Sequence, residues 1–187
     1  MSKTIAVLAL VMFASLTSIA YSTRAFIPTP GGYLARLEVL KGWSSRGYYA
    51  FNCSGFLTNA HGEAFLTERQ MYAGEGNLEI VAELRDRNAI DEAVLRPGDI
   101  AAFQGSNPRF QGAHVAAFEG SGTWIDSDNR RGFIATYQLK SKPATDPWFQ
   151  GHVRILRWKD SARVRFDPSF FDREQAAIAG EGSGRKS

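Results

Sequence analysis

The chain has 187 residues, 44% of them hydrophobic and 12% aromatic, which suits one well-buried domain and is short for two. Its formal charge is +3, yet residues 1–25 carry only Lys3 and Arg24, and without them 20 basic groups face 19 acidic ones. That balance, with no stripe of Lys and Arg interleaved with aromatics, excludes nucleic acid as an expected partner.

The first 25 residues, MSKTIAVLALVMFASLTSIAYSTRA, set one cation ahead of an apolar run from Ile5 to Ala20 and end in small residues. This is the layout of a secretory signal peptide, with cuts that fit after Ser22 or after Ala25. The alternative is a retained anchor, although the run falls short of the roughly 20 apolar residues of a bilayer span. No cysteine near the cut offers a site for lipid attachment. The expectation is therefore an exported protein, periplasmic or secreted, with no stable membrane insertion after cleavage. A catalytic or binding domain is expected over 26–171, and a mobile polar tail over 172–187 that ends GEGSGRKS.

Within the domain, FIPTPGG (26–32) reads as an extended lead-in. Leu34, Leu37 and Leu40 recur at helical spacing and predict a short helix ending at Gly42. SSRGYYAF (44–51) reads as a loop, and NCSGFLTNA as a helix start with Asn52 at the N-cap. In LEIVAELRDRNAIDEAVL (78–95), Leu78, Val81 and Leu84 recur every third residue and predict another helix. Pro97-Gly98 then marks a turn, and Ile100 to Phe103 a strand. AHVAAF (113–118) and TWIDSD (123–128) flank EGSG as a hairpin, and 132–139 and 152–158 supply two further strands. Helices first and an antiparallel sheet afterwards is an α+β order.

Cys53 is the single cysteine. In an oxidising compartment such a thiol has no internal disulfide partner and is either intermolecular, reactive or simply buried. One Cys with His61, His114 and His152 matches no zinc-ligand spacing, so neither a metal nor another cofactor is expected. Directly after an N-cap, a thiol meets unpaired N–H groups and the positive end of the helix dipole, both of which favour the thiolate. A base must take its proton. His61 is eight residues away, about 12 Å along a helix, and reads as a surface or turn residue. His152 reads as a structural or solvent-facing residue of the last strand. His114 opens an apolar strand after a Gly-containing loop and is the best placed. A three-residue turn would set Asp126 or Asp128 across from it on one face, and either could hold the imidazole tautomer.

NCSGF, RPGDIAAF, GAHVAAFEGSGTWID and WFQGHVRILRW together resemble the NlpC/P60 family of papain-like cell-wall cysteine peptidases, over residues 33–158. The resemblance implies a papain-like α+β fold, with N-terminal helices packed on a small antiparallel sheet. It implies Cys53 as nucleophile, His114 as base and Asp126 as the third polar residue, with Asp128 as runner-up. Asn52 and Ser54 would meet the substrate, an amide bond in a peptidoglycan stem peptide, and N–H groups at the helix start, including that of Cys53, would hold the oxyanion. Many members carry Asp where this chain has Asn52, which implies a weaker preference for a free amine. The family's upstream tyrosine has three candidates here, Trp43, Tyr48 and Tyr49, and no second wall-binding repeat is present. Three other readings use the same residues. One is a related amidase of the CHAP type. Another is a lipid-directed thiol acyltransferase whose apolar cleft would come from Phe51, Phe56, Phe110 and Trp124. The third is a non-catalytic binding protein on the same fold.

Overall fold

A computed structural model describes residues 30–43, 52–106, 112, 114–128 and 131–160. The expected signal segment, the loop 44–51 with Tyr48, Tyr49 and Phe51, the residue Phe110, and the tail 172–187 lie outside the described residues. Helix α1 spans Pro30–Leu40, so the last part of the supposedly extended lead-in is helical. Proline suits a first helical position because its missing N–H would have no partner there and its φ is already set. Tyr33, Leu37 and Leu40 form the buried stripe, at helical spacing. Gly42 then turns the chain with φ of 80°. Its N–H donates to the Ile134 carbonyl at 2.9 Å, and the Ile134 N–H donates to the Trp43 carbonyl at 2.9 Å.

Helix α2 covers Gly55–His61, and every residue in it except Asn59 is buried. Full burial of Phe56 and Leu57 contributes about 1.5–3 kcal/mol each. The regular helix starts three residues beyond Asn52, but Asn52 still caps it. Its Oδ1 accepts the Gly55 N–H at 2.7 Å, and its carbonyl accepts the Phe56 N–H at 3.2 Å. Helix α3, Glu68–Ala73, is one that apolar periodicity does not reveal. Its signal is a capping box in TERQ: Thr67 Oγ1 accepts the Gln70 N–H, and Gln70 Oε1 accepts the Thr67 N–H.

Six strands follow: β1 Leu78–Leu84, β2 Ile100–Phe103, β3 His114–Gly120, β4 Thr123–Asp128, β5 Phe133–Gln138 and β6 Val153–Trp158. They form one antiparallel sheet in the order β1-β6-β2-β3-β4-β5, which is the α+β arrangement the sequence predicts. The helix expected at 78–95 is corrected by β1. This edge strand pairs with β6 from Leu78↔Trp158 to Leu84↔Val153, with an irregularity between Ile80 and Ala82. The extra residue at that irregularity produces the spacing of three, and Val81, which a helix would bury, is exposed. Adjacent β-branched Ile80 and Val81 also favour strand over helix.

The RPGD stretch opens β2 on a buried carboxylate. Asp99 accepts two bonds from the Arg157 guanidinium at 2.7 Å each and a third from the Arg96 N–H at 2.9 Å. Alternation along the strands then separates two faces. Ala101, Phe103, Ala116, Phe118, Trp124 and Ile155 cluster on one with Leu139 and Phe149. Trp158 turns to the other, where the ring of His61 stacks on it at 3.9 Å and Tyr33 meets it edge-on at 6.2 Å.

His61 is therefore buried, where the sequence suggested a surface or turn residue, because it closes a helix whose final turn packs onto the sheet. Burial, helped by the nearby Arg36 charge, lowers its pKa to about 3. Its unfolded-state value is 6.5. Between those two values the unfolded chain binds a proton that the folded chain does not, so stability is full above the upper value and falls on acidification by about 1.4 kcal/mol per pH unit. Thermal melts from pH 7 to 5 should show a shallower loss for His61→Phe than for the wild type. Equal slopes would mean that the imidazole is not held neutral.

Candidate active site

The β3–β4 hairpin turns on two residues, Ser121 and Gly122, whose φ values are 51° and 76°. The sequence reading allowed three turn residues. The additional residue lies in the strand, where the register shifts between Phe118 and Gly120. Pairing runs from Ala117↔Ile125 to Gly120↔Thr123, which sets Asp126 diagonal to His114 on the same face. His114 Nε2 lies 2.9 Å from Asp126 Oδ2, and both side chains are at most 1% exposed. A carboxylate only accepts, so Nε2 carries the proton and Nδ1 holds the ring's lone pair. Nδ1 has no hydrogen-bond partner among the described residues.

The imidazole is boxed by aromatics, stacked on Trp148 with centroids 5.0 Å apart and edge-on to Phe149 at 4.9 Å. Lys142 Nζ lies 3.4 Å from the same Asp126 oxygen and 3.7 Å from the centroid of the Tyr137 ring. Burial lowers the Lys142 pKa, and the Asp126 charge opposes that. Asp128 Oδ2 lies 3.6 Å from Arg131 Nε, at the β4–β5 turn.

Cys53 approaches from the head of α2. The residue is 8% exposed, and its thiol donates to Glu68 Oε1 at 3.1 Å. The Val115 N–H, next in the chain to His114, points at the sulfur. Burial pushes the Cys53 thiol well up, Glu68 adds to that by charge and by accepting the S–H, and only the Val115 N–H works the other way. The sequence expectation of a thiol favoured as thiolate by a helix dipole is thus opposed here by desolvation and by a carboxylate on the next helix.

Gly112 brings the strand to this place. At φ of 89°, a Cβ there would lie 2.6 Å from the Glu68 carbonyl oxygen and 2.8 Å from the Arg69 Cα. Gly112→Ala should cost about 1–3 kcal/mol through left-handed strain and this clash, and should displace His114 two residues later. Urea unfolding with a parallel measurement of Cys53 alkylation tests it; an unchanged midpoint would show that the loop gives way freely.

By sequence, no family model and no curated protein matches the chain. Solved NlpC/P60 structures are similar to it. The peptidoglycan hydrolase RipB from Mycobacterium tuberculosis is 16% identical with a TM-score of 0.44, over 67% of this chain and 63% of that one. NlpC2 from Trichomonas vaginalis is 16% identical with a TM-score of 0.46, over 74% and 49%. An NlpC/P60 family protein from Bacillus cereus is 18% identical with a TM-score of 0.48, over 70% and 41%. The chain thus spans from about two fifths to just under two thirds of these proteins' lengths. At these identities and scores the likeness says nothing about chemistry.

The remaining expected residues sort by environment. Asn52 Oδ1 is committed to the Gly55 N–H and to Ser54 Oγ at 3.3 Å, and Ser54 is fully buried. His152 is exposed just ahead of β6, and its N–H donates to Gln104 Oε1 at 3.3 Å. Phe56 and Trp124 are fully buried in the core. Three participants escaped the sequence reading: Glu68, Lys142 and Trp148. The TERQ box places Glu68 at the start of a helix, but no pattern within the sequence ties that helix to Cys53. Lys142 and Trp148 lie on short 3-10 segments and their flanks, with no apolar period to mark them.

Proposed function

We propose that the protein is a cysteine hydrolase of the NlpC/P60 type, cleaving amide bonds in peptidoglycan stem peptides with Cys53 as nucleophile, His114 as base and Asp126 as the orienting third residue. The carrying observation is the buried His114, with Nε2 on Asp126 Oδ2 at 2.9 Å and Nδ1 without a hydrogen-bond partner among the described residues. That is the state a general base must be in before it accepts a proton. In the proposed reaction Nδ1 takes the Cys53 proton and the sulfur attacks the amide carbonyl. The resulting imidazolium, stabilised by Asp126, protonates the leaving amine, and water then releases the acyl group. The backbone N–H of Cys53 would serve as an oxyanion donor.

Export to the periplasm or beyond belongs to the same reading, with 1–25 as signal, 26–171 as catalytic domain and 172–187 as tail. Among the described residues no helix is long and apolar enough to cross a membrane. The test is digestion of isolated sacculi, with fragment masses identifying the bond cut and Cys53→Ala as control. Release of muropeptides by the wild type alone supports the proposal, and release by neither protein overturns it.

A second reading, a non-catalytic binding protein on this fold, is favoured by the buried thiol bonded to Glu68. It expects Cys53 to react with iodoacetamide only after denaturation. The enzyme reading expects reaction in the native state.

A further inference from the structure

A carboxylate buried as deeply as Asp126 is tolerated only when paired, because water cannot reach its charge. Two groups meet at one of its oxygens. His114 Nε2 lies 2.9 Å from Asp126 Oδ2, and Lys142 Nζ lies 3.4 Å from the same atom, with the lysine side chain only 3% exposed. A neutral imidazole offers a dipole and an ammonium a full charge, so Lys142 supplies the cation. Its place is built by the chain between β5 and β6. The 3-10 turn Leu139–Ser141 closes with the Lys142 N–H donating to the Leu139 carbonyl at 3.1 Å, and Arg87 Nη2 donates to the Lys142 carbonyl at 2.9 Å. Nζ then lies 3.7 Å from the centroid of the Tyr137 ring and 4.8 Å from that of Phe149, a setting that suits a cation. The same Phe149 meets the His114 ring edge-on, so one short segment packs on both partners of the His114–Asp126 bond. The other charged groups that bear on Lys142 are Arg131 and Asp128, which face each other at the β4–β5 turn. Tyr137 from β5 stays neutral, because burial and then the Asp126 charge push its hydroxyl well up. Cys53, held as thiol, also feels the Asp126 charge.

We infer that Lys142 is a positioning residue for the hydrolase reaction: it fixes Asp126 Oδ2 on His114 Nε2 and, as a second cation on that oxygen, makes the imidazolium readier to give its proton to the leaving amine. The inference rests on the hydrolase reading of the site. In that reaction the Cys53 proton passes to His114 Nδ1 as the carbon–sulfur bond forms. The ring is then a cation that shares one carboxylate oxygen with another cation, and like charges so close disfavour it. The Nδ1 proton leaves with the amine as the carbon–nitrogen bond breaks, and the thioester remains on Cys53. The Nε2 proton stays on Asp126 throughout. An Asp126 that served the imidazolium alone would stabilise it more and hold that proton longer. Lys142 therefore trades some basicity in the first proton transfer for acidity in the second.

The test combines NMR with turnover on sacculi, both on the full chain. Histidine is labelled with 13C and 15N, the three rings are followed from about pH 4 to 9, and the His114 signal is assigned by its loss in His114→Gln. In Lys142→Met, the pH at which His114 takes its second proton should be about one unit higher than in the wild type, as expected for removal of one nearby like charge. Turnover of Lys142→Met should fall several-fold in kcat with KM within about twofold, and the acid limb of its pH profile should move up by the same unit. Lys142→Arg keeps the charge, so both readouts should return toward the wild-type values. Lys142→Gln, a second neutral variant, should repeat the methionine result, which keeps the proposal testable if Lys142→Met melts early. An unchanged or lower His114 midpoint in the neutral variants overturns the inference. So does an equal shift in Lys142→Arg, which would show that the lysine acts by packing alone. The NMR midpoint requires no turnover, so a protein that shows the shift but releases nothing from sacculi would sink the hydrolase reading alone. Cleavage of sacculi without the shift would sink this inference alone.

Discussion

On the proposed mechanism, His114→Ala is expected to lower turnover on sacculi by about three orders of magnitude, the range for removal of a general base that acts in the bond-making step. His152→Ala leaves it within about twofold, since that side chain is exposed outside the site. Asp126→Ala falls between them. Without its carboxylate, the imidazole loses the partner at 2.9 Å that decides which nitrogen carries the proton, and Lys142 loses the carboxylate oxygen at 3.4 Å. On the proposed mechanism Cys53 and His114 act as a unit, so the double variant Cys53→Ala/His114→Ala should be no slower than the worse single variant. Comparable losses from His152→Ala and His114→Ala would show that the wrong histidine has been assigned, and additive losses would show that the two residues do not share a step.

Asp99→Ala is expected to have the largest effect on stability away from the chemistry, a loss of about 3 kcal/mol. Removing one partner of a buried ion pair leaves the other uncompensated and costs about 3–5 kcal/mol; Arg157 keeps some contact with water, which places the loss at the lower end. The Arg96 N–H is orphaned as well. Asp99 also seats the start of β2 against β3. The Gly98 N–H donates to the Phe118 carbonyl at 2.7 Å, and the Phe118 N–H donates to the Asp99 carbonyl at 2.7 Å. Urea unfolding measures the loss. Asp99→Asn should lose less, because its amide keeps an acceptor for the Arg96 N–H. Equal midpoints for all three proteins would show that the bidentate pair is worth no more than an exposed one.

Much of the strand content was legible because it depends on local rules. Pro-Gly and Gly-rich turns bound short runs of alternating side chains, and five of the six strands lie where those signals put them. β1 did not, because an edge strand with one wet side and a register irregularity imitates a helical interval of three. Only its backbone pairing with β6, 69 to 80 residues further along the chain, decides the matter. His61 went astray for a related reason. A histidine at the end of a seven-residue helix carries no sign that an indole from the last strand will stack on it.

By itself the sequence determined the α+β order and the lone thiol after a helix-capping Asn52, and it made His114 the candidate base ahead of the other two histidines. Each of these depends on neighbours within a few residues, where turn chemistry and side-chain alternation operate. The choice between Asp126 and Asp128 was left open by the residues, since both lie on one face of β4. The hairpin register leaves Asp126 only diagonal to His114, so it is the side-chain placement, with Nε2 2.9 Å from Asp126 Oδ2, that sets the imidazole against Asp126. The tertiary structure alone decided the electrostatics of the sulfur. Glu68 comes from a helix 15 residues on, and Lys142 and Trp148 come from beyond the hairpin. Charge acts through space, and desolvation depends on everything that packs around a group, so no window of sequence contains the terms that hold Cys53 as a neutral thiol.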